Sequence, residues 1–302
     1  MTSIDFGIAS ALGDIPATLV TPDTSDLSGA RAPGARAAGA RAAGAQAVGE
    51  RLDVPTDPRE ADGRPGVPAV LLLHGTASSR SEVGGMFVRL AEALAARGVA
   101  SLRIDFAGSG DSTRPQTGFT VASQLADAQA AFDWLAAEGR IDAGRIGVLG
   151  FSQGGMIATL LAGREPQVAA LTLWSSGIVA GGAFGVFAPY FEGLEAVDEA
   201  TVDLGFTTFT FTREWWLQAQ SMPLVGAIGR YGHPLFVVAG SDDDTIAPDA
   251  SLELLRHAAS ADVEFRMIAN ADHIFRALDA GSPLADTVIE LTASWFAHRL
   301  GA

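Results

Sequence analysis

The chain has 302 residues, 48% of them hydrophobic, with 35 Gly, 14 Pro and no cysteine. That length fits one large α/β domain or two small ones, and the lack of cysteine excludes disulfides, thiolate metal sites and a cysteine nucleophile. A formal net charge of −15, from 20 Lys+Arg against 35 Asp+Glu, leaves no basic stripe for nucleic acid or for an anionic membrane surface.

In chain order, residues 4–8 and 15–20 predict two short strands joined by a turn at Leu12-Gly13-Asp14, an amino-terminal hairpin within residues 1–23. The opening residues carry no basic segment ahead of an apolar stretch, so they do not read as a signal peptide. Residues 24–66 repeat Ala, Gly and Arg with nothing apolar at a spacing that could bury a face, which predicts a flexible surface insertion. Residues 67–73 are a continuous apolar run, as in a strand buried on both faces. A helix over 81–97 (Phe87, Leu90, Ala91 and Leu94 at helical spacing) and a strand over 99–105 follow. Next come a helix over 120–138, a strand over 145–150 and a small-residue helix over 153–163. Strands at 168–174, 234–240 and 263–268, with helices near 249–259 and 283–300, complete the alternation. Such alternation predicts an α/β fold: a mainly parallel sheet with helices on both faces. Residues 177–232 break the rhythm with Gly and aromatic residues, and predict a lid inserted into a core of 67–176 and 233–302. Most of its rings are expected to pack the insertion and a few to line a pocket. No apolar run reaches the length of a membrane span, so the expectation is a soluble cytoplasmic protein.

The sharpest local feature is Gly150-Phe151-Ser152-Gln153-Gly154, placed between a predicted strand and a predicted helix. A nucleophile at such a turn is strained and needs neighbours without bulk, which Gly150, Gly154 and Gly155 provide. The alternative is a Gly-rich turn with an incidental serine, and the strand–turn–helix context favours the nucleophile. A serine hydroxyl needs a base, and the base needs an acid to orient it; at an elbow of this kind the chain order is Ser, Asp or Glu, then His. Of the histidines after Ser152, His257 and His298 fall in predicted helices and His233 at a strand start. His273 falls in a loop past the carboxyl end of the last strand, where ligand-facing residues of open α/β sheets belong. His273 is therefore the candidate base. The acid comes from Asp242-Asp243-Asp244, where a predicted strand runs out, and the residues alone do not choose among the three; Asp249 and Asp272 read as helix or loop caps. The N–H of Gln153 and the N–H of Thr76, in the loop His74-Gly75-Thr76, are the candidate oxyanion donors. His74 reads as a structural residue holding that loop.

Taken together, His74-Gly75, the run from Arg103 to Ser112, Gly150 to Gly155 and Asp272-His273 resemble the α/β-hydrolase superfamily over nearly all of residues 67–300. The resemblance is nearest to its cinnamoyl/feruloyl esterase-like branch, which overlaps dienelactone hydrolase-like and serine aminopeptidase-like groupings. It implies that the acid falls three residues after the strand-end Gly240, selecting Asp243, whereas an Asp-x-Ile-x-Pro pattern would select Asp244. It also implies a lid where 177–232 lies. The insertion at 24–66 departs from the family pattern.

The expected function is hydrolysis of a small carboxylic ester through an acyl-enzyme by Ser152, His273 and Asp243, with a small-molecule ester as partner and no cofactor or metal. An amidase, peptidase or thioesterase with the same triad, or a hydrolase-fold receptor with little turnover, is the alternative. Acyl and alcohol preference and oligomeric state are not readable from the residues.

Overall fold

Apolar runs long enough to be covered on both sides become the interior strands of a single large sheet. The computed structural model describes residues 1–22, 66–178 and 189–302. The expected insertion at 24–66, apart from its last residue, lies outside the described residues, as do residues 179–188 of the expected lid.

The amino-terminal hairpin is β1 (Thr2–Ile8) and β2 (Ile15–Thr21). The core continues through β3 (Val67–Leu73), α1 (Met86–Ala95), β4 (Ala100–Ile104), α2 (Val121–Ala137), β5 (Ile141–Phe151), α3 (Gln153–Ala162) and β6 (Val168–Trp174). Then come β7 (Glu199–Asp203), β8 (Thr208–Thr212), α4 (Arg213–Gln220) and α5 (Leu224–Ile228), followed by β9 (Leu235–Gly240), α6 (Pro248–Arg256), β10 (Val263–Ile268) and α7 (Leu284–Leu300). Among the described residues, eight strands form one sheet in the order β1-β2-β4-β3-β5-β6-β9-β10. Pairings from β4 to β10 are parallel, while β1–β2 and β2–β4 are antiparallel.

Strand β3 shows why its sequence lacks polar–apolar alternation. Val70 and Leu72 enter one core with Leu90 and Leu94 of α1 and Val288 and Phe296 of α7. Ala69, Leu71 and Leu73 enter the other, with Phe132 of α2 and Ile157 of α3. Alternate side chains thus reach opposite faces, and both faces are roofed by helices. The chain passes from β3 outward to β4 and then back across to β5, so the direction of strand addition reverses between β3 and β5. Open α/β sheets bind ligands outside the carboxyl ends of strands at such a switch point.

Two boundaries differ from the sequence reading. The helix expected over 81–97 begins only at Met86, because Glu82, Gly84 and Gly85 take φ of 56°, 58° and 66°. Left-handed residues cannot continue a right-handed helix, so apolar spacing fails to mark this start. Strand β5 begins at Ile141 rather than 145, with its register shifting between Val67 and Ala69 of β3. Inside the insertion, β7 and β8 form a separate antiparallel hairpin. Phe191, Phe209, Phe211 and Trp215 cluster there with Phe119 of the core. The Thr210 N–H also donates to Gln116 Oε1 at 2.8 Å, tying the hairpin to the same core loop. No helix among the described residues is long and apolar enough to cross a membrane.

Backbone meets backbone at the start of α3. A Cβ on Gly154 would fall on the carbonyl oxygens of Leu73 and His74, and one on Gly150 on the carbonyl of Gly154. These neighbours are backbone and cannot rotate away. Gly154→Ala is therefore expected to destabilise the chain by about 3 kcal/mol or more, the upper end of overpacking costs. The check is the denaturant midpoint at unchanged m-value; a midpoint equal to wild type would contradict the close contact.

Candidate active site

Ser152 sits between β5 and α3 with φ 54° and ψ −122°, a left-handed φ that a serine adopts only under constraint. The constraint is visible. Its N–H donates to the Trp174 carbonyl at 2.9 Å, and its own carbonyl accepts from the Gly155 N–H at 3.0 Å.

His273 follows β10 in a loop held from both sides. Asp272 Oδ1 accepts from the N–H groups of Ile274 (3.2 Å) and Arg276 (2.7 Å), while the Phe275 ring is buried against Trp174. This places His273 Nε2 3.0 Å from Ser152 Oγ. On the other side of the ring, Nδ1 lies 2.9 Å from Asp243 Oδ2 and 3.1 Å from Oδ1.

Of the three consecutive carboxylates only Asp243 reaches the imidazole. Its side chain is fully buried, and Oδ1 also accepts from the N–H groups of Thr245 (3.0 Å) and Ile246 (2.8 Å). Asp242 is exposed and accepts from Ser241 Oγ, and Asp244 is exposed. The turn after β9 therefore aims one carboxylate inward and leaves its neighbours in water. In the tautomer whose Nδ1–H donates to Asp243, Nε2 faces Ser152 Oγ as an acceptor.

Thr76 and Gln153, the candidate oxyanion donors, are brought together from opposite sides of the switch point. Thr76 Oγ1 donates to Gln153 Oε1 at 2.6 Å, and Gln153 Nε2 donates to Gln124 Oε1 at 2.8 Å. As the first residue of α3, Gln153 has no carbonyl one turn earlier in its own helix, so its N–H is available to a ligand. The helix N-terminus adds partial positive charge at the same point.

Two residues that shape this site carry no sequence signal. Glu82 is buried with φ 56°; its Oε2 accepts from the Gly75 N–H at 2.8 Å, and Oε1 accepts from Ser78 Oγ at 2.6 Å and the Val83 N–H at 2.9 Å. It closes the loop that carries Thr76. Asp105 is also buried; it accepts from the Arg80 and Asp111 N–H groups and pairs with the Arg80 guanidinium. The run from Arg103 to Ser112 suggested a family pattern but not this anchoring role.

The other histidines are placed elsewhere. His233, His257 and His298 are exposed, and His257 faces Glu253. His74 is buried, with Nδ1 2.7 Å from the Gly75 carbonyl and Nε2 accepting from the Phe106 N–H at 3.1 Å. Burial lowers its pKa from the ordinary 6.5, against the attraction of Glu82. A neutral ring is what the geometry requires, since only neutral imidazole can accept at Nε2. Folded His74 thus binds fewer protons than unfolded His74 below pH 6.5, so stability is full above that pH and declines as the pH falls beneath it. His74→Gln is expected to flatten the acid-side slope of unfolding free energy against pH by up to about one proton per molecule. Denaturant titrations between pH 7.5 and 5 measure this; an unaltered slope would clear His74 of the role.

Beside Ser152 and His273 opens a mainly apolar cavity of about 560 Å³, with Val83, Phe191, Phe206, Ile246, Ile274 and Leu278 among its walls. Of the insertion's described aromatics, Phe191 and Phe206 line this space, and Phe209, Phe211 and Trp215 pack together with Phe191. Among the described residues no group of three His, Asp or Glu side chains is placed to hold a metal.

Comparison with known proteins agrees with the architecture. A family model described as alpha/beta hydrolase fold matches residues 68–194. Two uncharacterized proteins from strains of Mycobacterium tuberculosis are each 30% identical over 193 residues, 64% of this chain. The chain spans 58% of the length of those relatives. Among solved structures, Est1E from Butyrivibrio proteoclasticus, with ferulic acid bound, is similar at TM-score 0.69 and 17% identity, over 98% of this chain and 99% of that one. The esterase domain of a Rhodothermus marinus protein gives 0.63 and 20% over the whole of both chains. Dienelactone hydrolase from Anabaena variabilis gives 0.59 and 16%, over 98% of this chain and 93% of that one. The chain has the alpha/beta hydrolase fold: among the described residues, an eight-stranded, mainly parallel sheet with a segment inserted between β6 and β9.

Proposed function

We propose that the protein is a serine hydrolase acting on small carboxylic esters. The observation that carries this reading is the continuous relay from Ser152 Oγ through His273 to buried Asp243, with contacts of 3.0 and 2.9 Å, at the mouth of an apolar cavity. Esterases and a dienelactone hydrolase among the structural neighbours are consistent with it.

In the proposed reaction, Ser152 Oγ forms a bond to the ester carbonyl carbon as its proton passes to His273 Nε2. Asp243 stabilises the imidazolium, and the N–H groups of Thr76 and Gln153 hold the oxyanion. The carbon–oxygen bond to the alcohol then breaks, and that alcohol leaves with the proton from Nε2. Water, deprotonated by the same nitrogen, attacks the acyl-serine and releases the acid, returning the proton to Oγ. The charges balance without a further reactant.

An aminopeptidase reading calls for carboxylates free to hold a substrate ammonium. The acidic residues of the insertion do not supply them at the cavity: Asp198 pairs with Arg213 in solvent, and Glu192, Glu195 and Glu199 are exposed and away from the cavity walls. Glu82, which does line the cavity, is occupied by its loop.

Ser152→Ala is expected to cut kcat on p-nitrophenyl acetate by about 10⁴-fold or more with an unchanged melting temperature. Turnover retained in that variant would refute the assignment. For the acid, Asp243→Asn is expected to lower kcat by about 10²–10⁴-fold, and Asp242→Asn and Asp244→Asn by less than about twofold. A large loss in Asp244→Asn with an active Asp243→Asn would move the role to Asp244.

A further inference from the structure

Among the described residues, two cavities of very different size meet at Ser152. The larger, about 560 Å³, includes His273, Ile274 and Leu278 in its wall. The smaller, about 10 Å³, is bounded by Gln153 and Met156 of α3, Ala219 of α4 and the nearby Met222, and does not touch His273. Ser152, Thr76 and Ile246 belong to both. A volume of about 10 Å³ accommodates roughly one water-sized group, which is also the size of a methyl.

The chemistry decides which half of an ester takes which cavity. His273 Nε2 must give its proton to the departing alcohol oxygen, so that oxygen lies on the histidine side of the serine. The oxyanion takes the N–H groups of Thr76 and Gln153, and the acyl group, the remaining substituent of the same carbon, is then directed away from His273 toward Met156, Ala219 and Met222 of the small cavity. Resting on the serine-hydrolase reading above, we propose that this protein is selective for esters of very short acyl groups, acetyl above all, with an apolar or aryl alcohol in the large cavity. Met222, from the inserted segment, sets the acyl limit as a specificity-determining residue.

The walls of the small cavity explain why it does not simply expand. Met156 and Ala219 are buried, and the Gln153 side chain is fixed between Thr76 and Gln124. Met222 is only partly buried at the edge of the core, and its unbranched side chain is the wall that can be shortened with least disturbance.

Benzyl acetate and methyl phenylacetate test this directly, because they are isomers with the ester group reversed and leaving alcohols of similar acidity. Wild-type protein is expected to show kcat/KM for benzyl acetate about tenfold or more above that for methyl phenylacetate, the discrimination a methylene-scale mismatch supports. Met222→Ala is expected to narrow that ratio by raising activity on methyl phenylacetate and on p-nitrophenyl butyrate. An equal or reversed isomer preference in wild type overturns the cavity assignment, whether or not the variant folds. A folded Met222→Ala with an unaltered ratio removes Met222 from the role. Turnover of p-nitrophenyl acetate that vanishes in Ser152→Ala reports the hydrolase reading separately. If neither isomer nor p-nitrophenyl acetate is turned over, that reading fails and this proposal with it.

Discussion

Helix α3 meets the ends of β3 and β5 backbone against backbone, with no side chain between them, and the geometry of the site depends on that contact. Gly150 and Gly154 permit it by lacking a Cβ. With helix and strands this close, the single residue joining β5 to α3 turns sharply, and Ser152 takes up the strain at φ 54°. Two backbone hydrogen bonds, to Trp174 and from Gly155, hold it there. Ser152 is half-buried at the cavity wall, and its fixed placement arises from packing rather than from any property of serine.

The rest of the site is organised by buried carboxylates that serve as internal struts. Glu82 gathers Gly75, Ser78 and Val83, and Asp105 gathers Arg80 and Asp111. Asp243 receives two backbone N–H groups beside His273. Each satisfies several donors that a buried loop would otherwise leave unpaired. Loops at the carboxyl edge of the sheet thus reach a fixed shape before any ligand arrives, which is the condition for electrostatic preorganisation.

The fold was legible because its information is local. Strand β3 betrays its two-sided burial by lacking alternation, and α1 shows Phe87, Leu90, Ala91 and Leu94 at helical spacing. The elbow was legible for the same reason: its glycines answer a local steric demand. The α1 start was not legible, since a Glu at left-handed φ looks in sequence like a Glu opening a helix. Glu82 as a strut was hidden likewise, because its partners are set by a turn that forms only once Gly84 and Gly85 leave the helical region. Within Asp242-Asp243-Asp244, composition is uniform and only the backbone path after β9 distinguishes one carboxylate from its neighbours. Family resemblance offered Asp243, with Asp244 as the alternative; the three carboxylates carry no difference from which physics alone could select.

Strands β6 and β9 are hydrogen-bonded neighbours, Leu171 opposite Leu235 through Trp174 opposite Val238. The segment between them leaves the sheet and rejoins it one strand away, so the ladder is continuous as though that segment were absent. Among the described residues it meets the core through the aromatic cluster on Phe119 and the amide of Gln116. It also does so through α4 against α2, where Gln218 accepts from the Ala122 N–H, and through α5, whose Leu224, Ala227 and Ile228 are buried against α3. Ser152, His273 and Asp243 all come from the uninterrupted part, while Phe191, Phe206, Ala219 and Met222 come from the excursion. The Ser152–His273–Asp243 relay therefore lies wholly in the core, whereas the cavity walls come from both stretches, Val83, Ile246, Ile274 and Leu278 from the core and Phe191 and Phe206 from the excursion. Changes of side chain at Phe191, Phe206, Ala219 or Met222 can redraw the space around the serine while the register of the sheet is left as it stands.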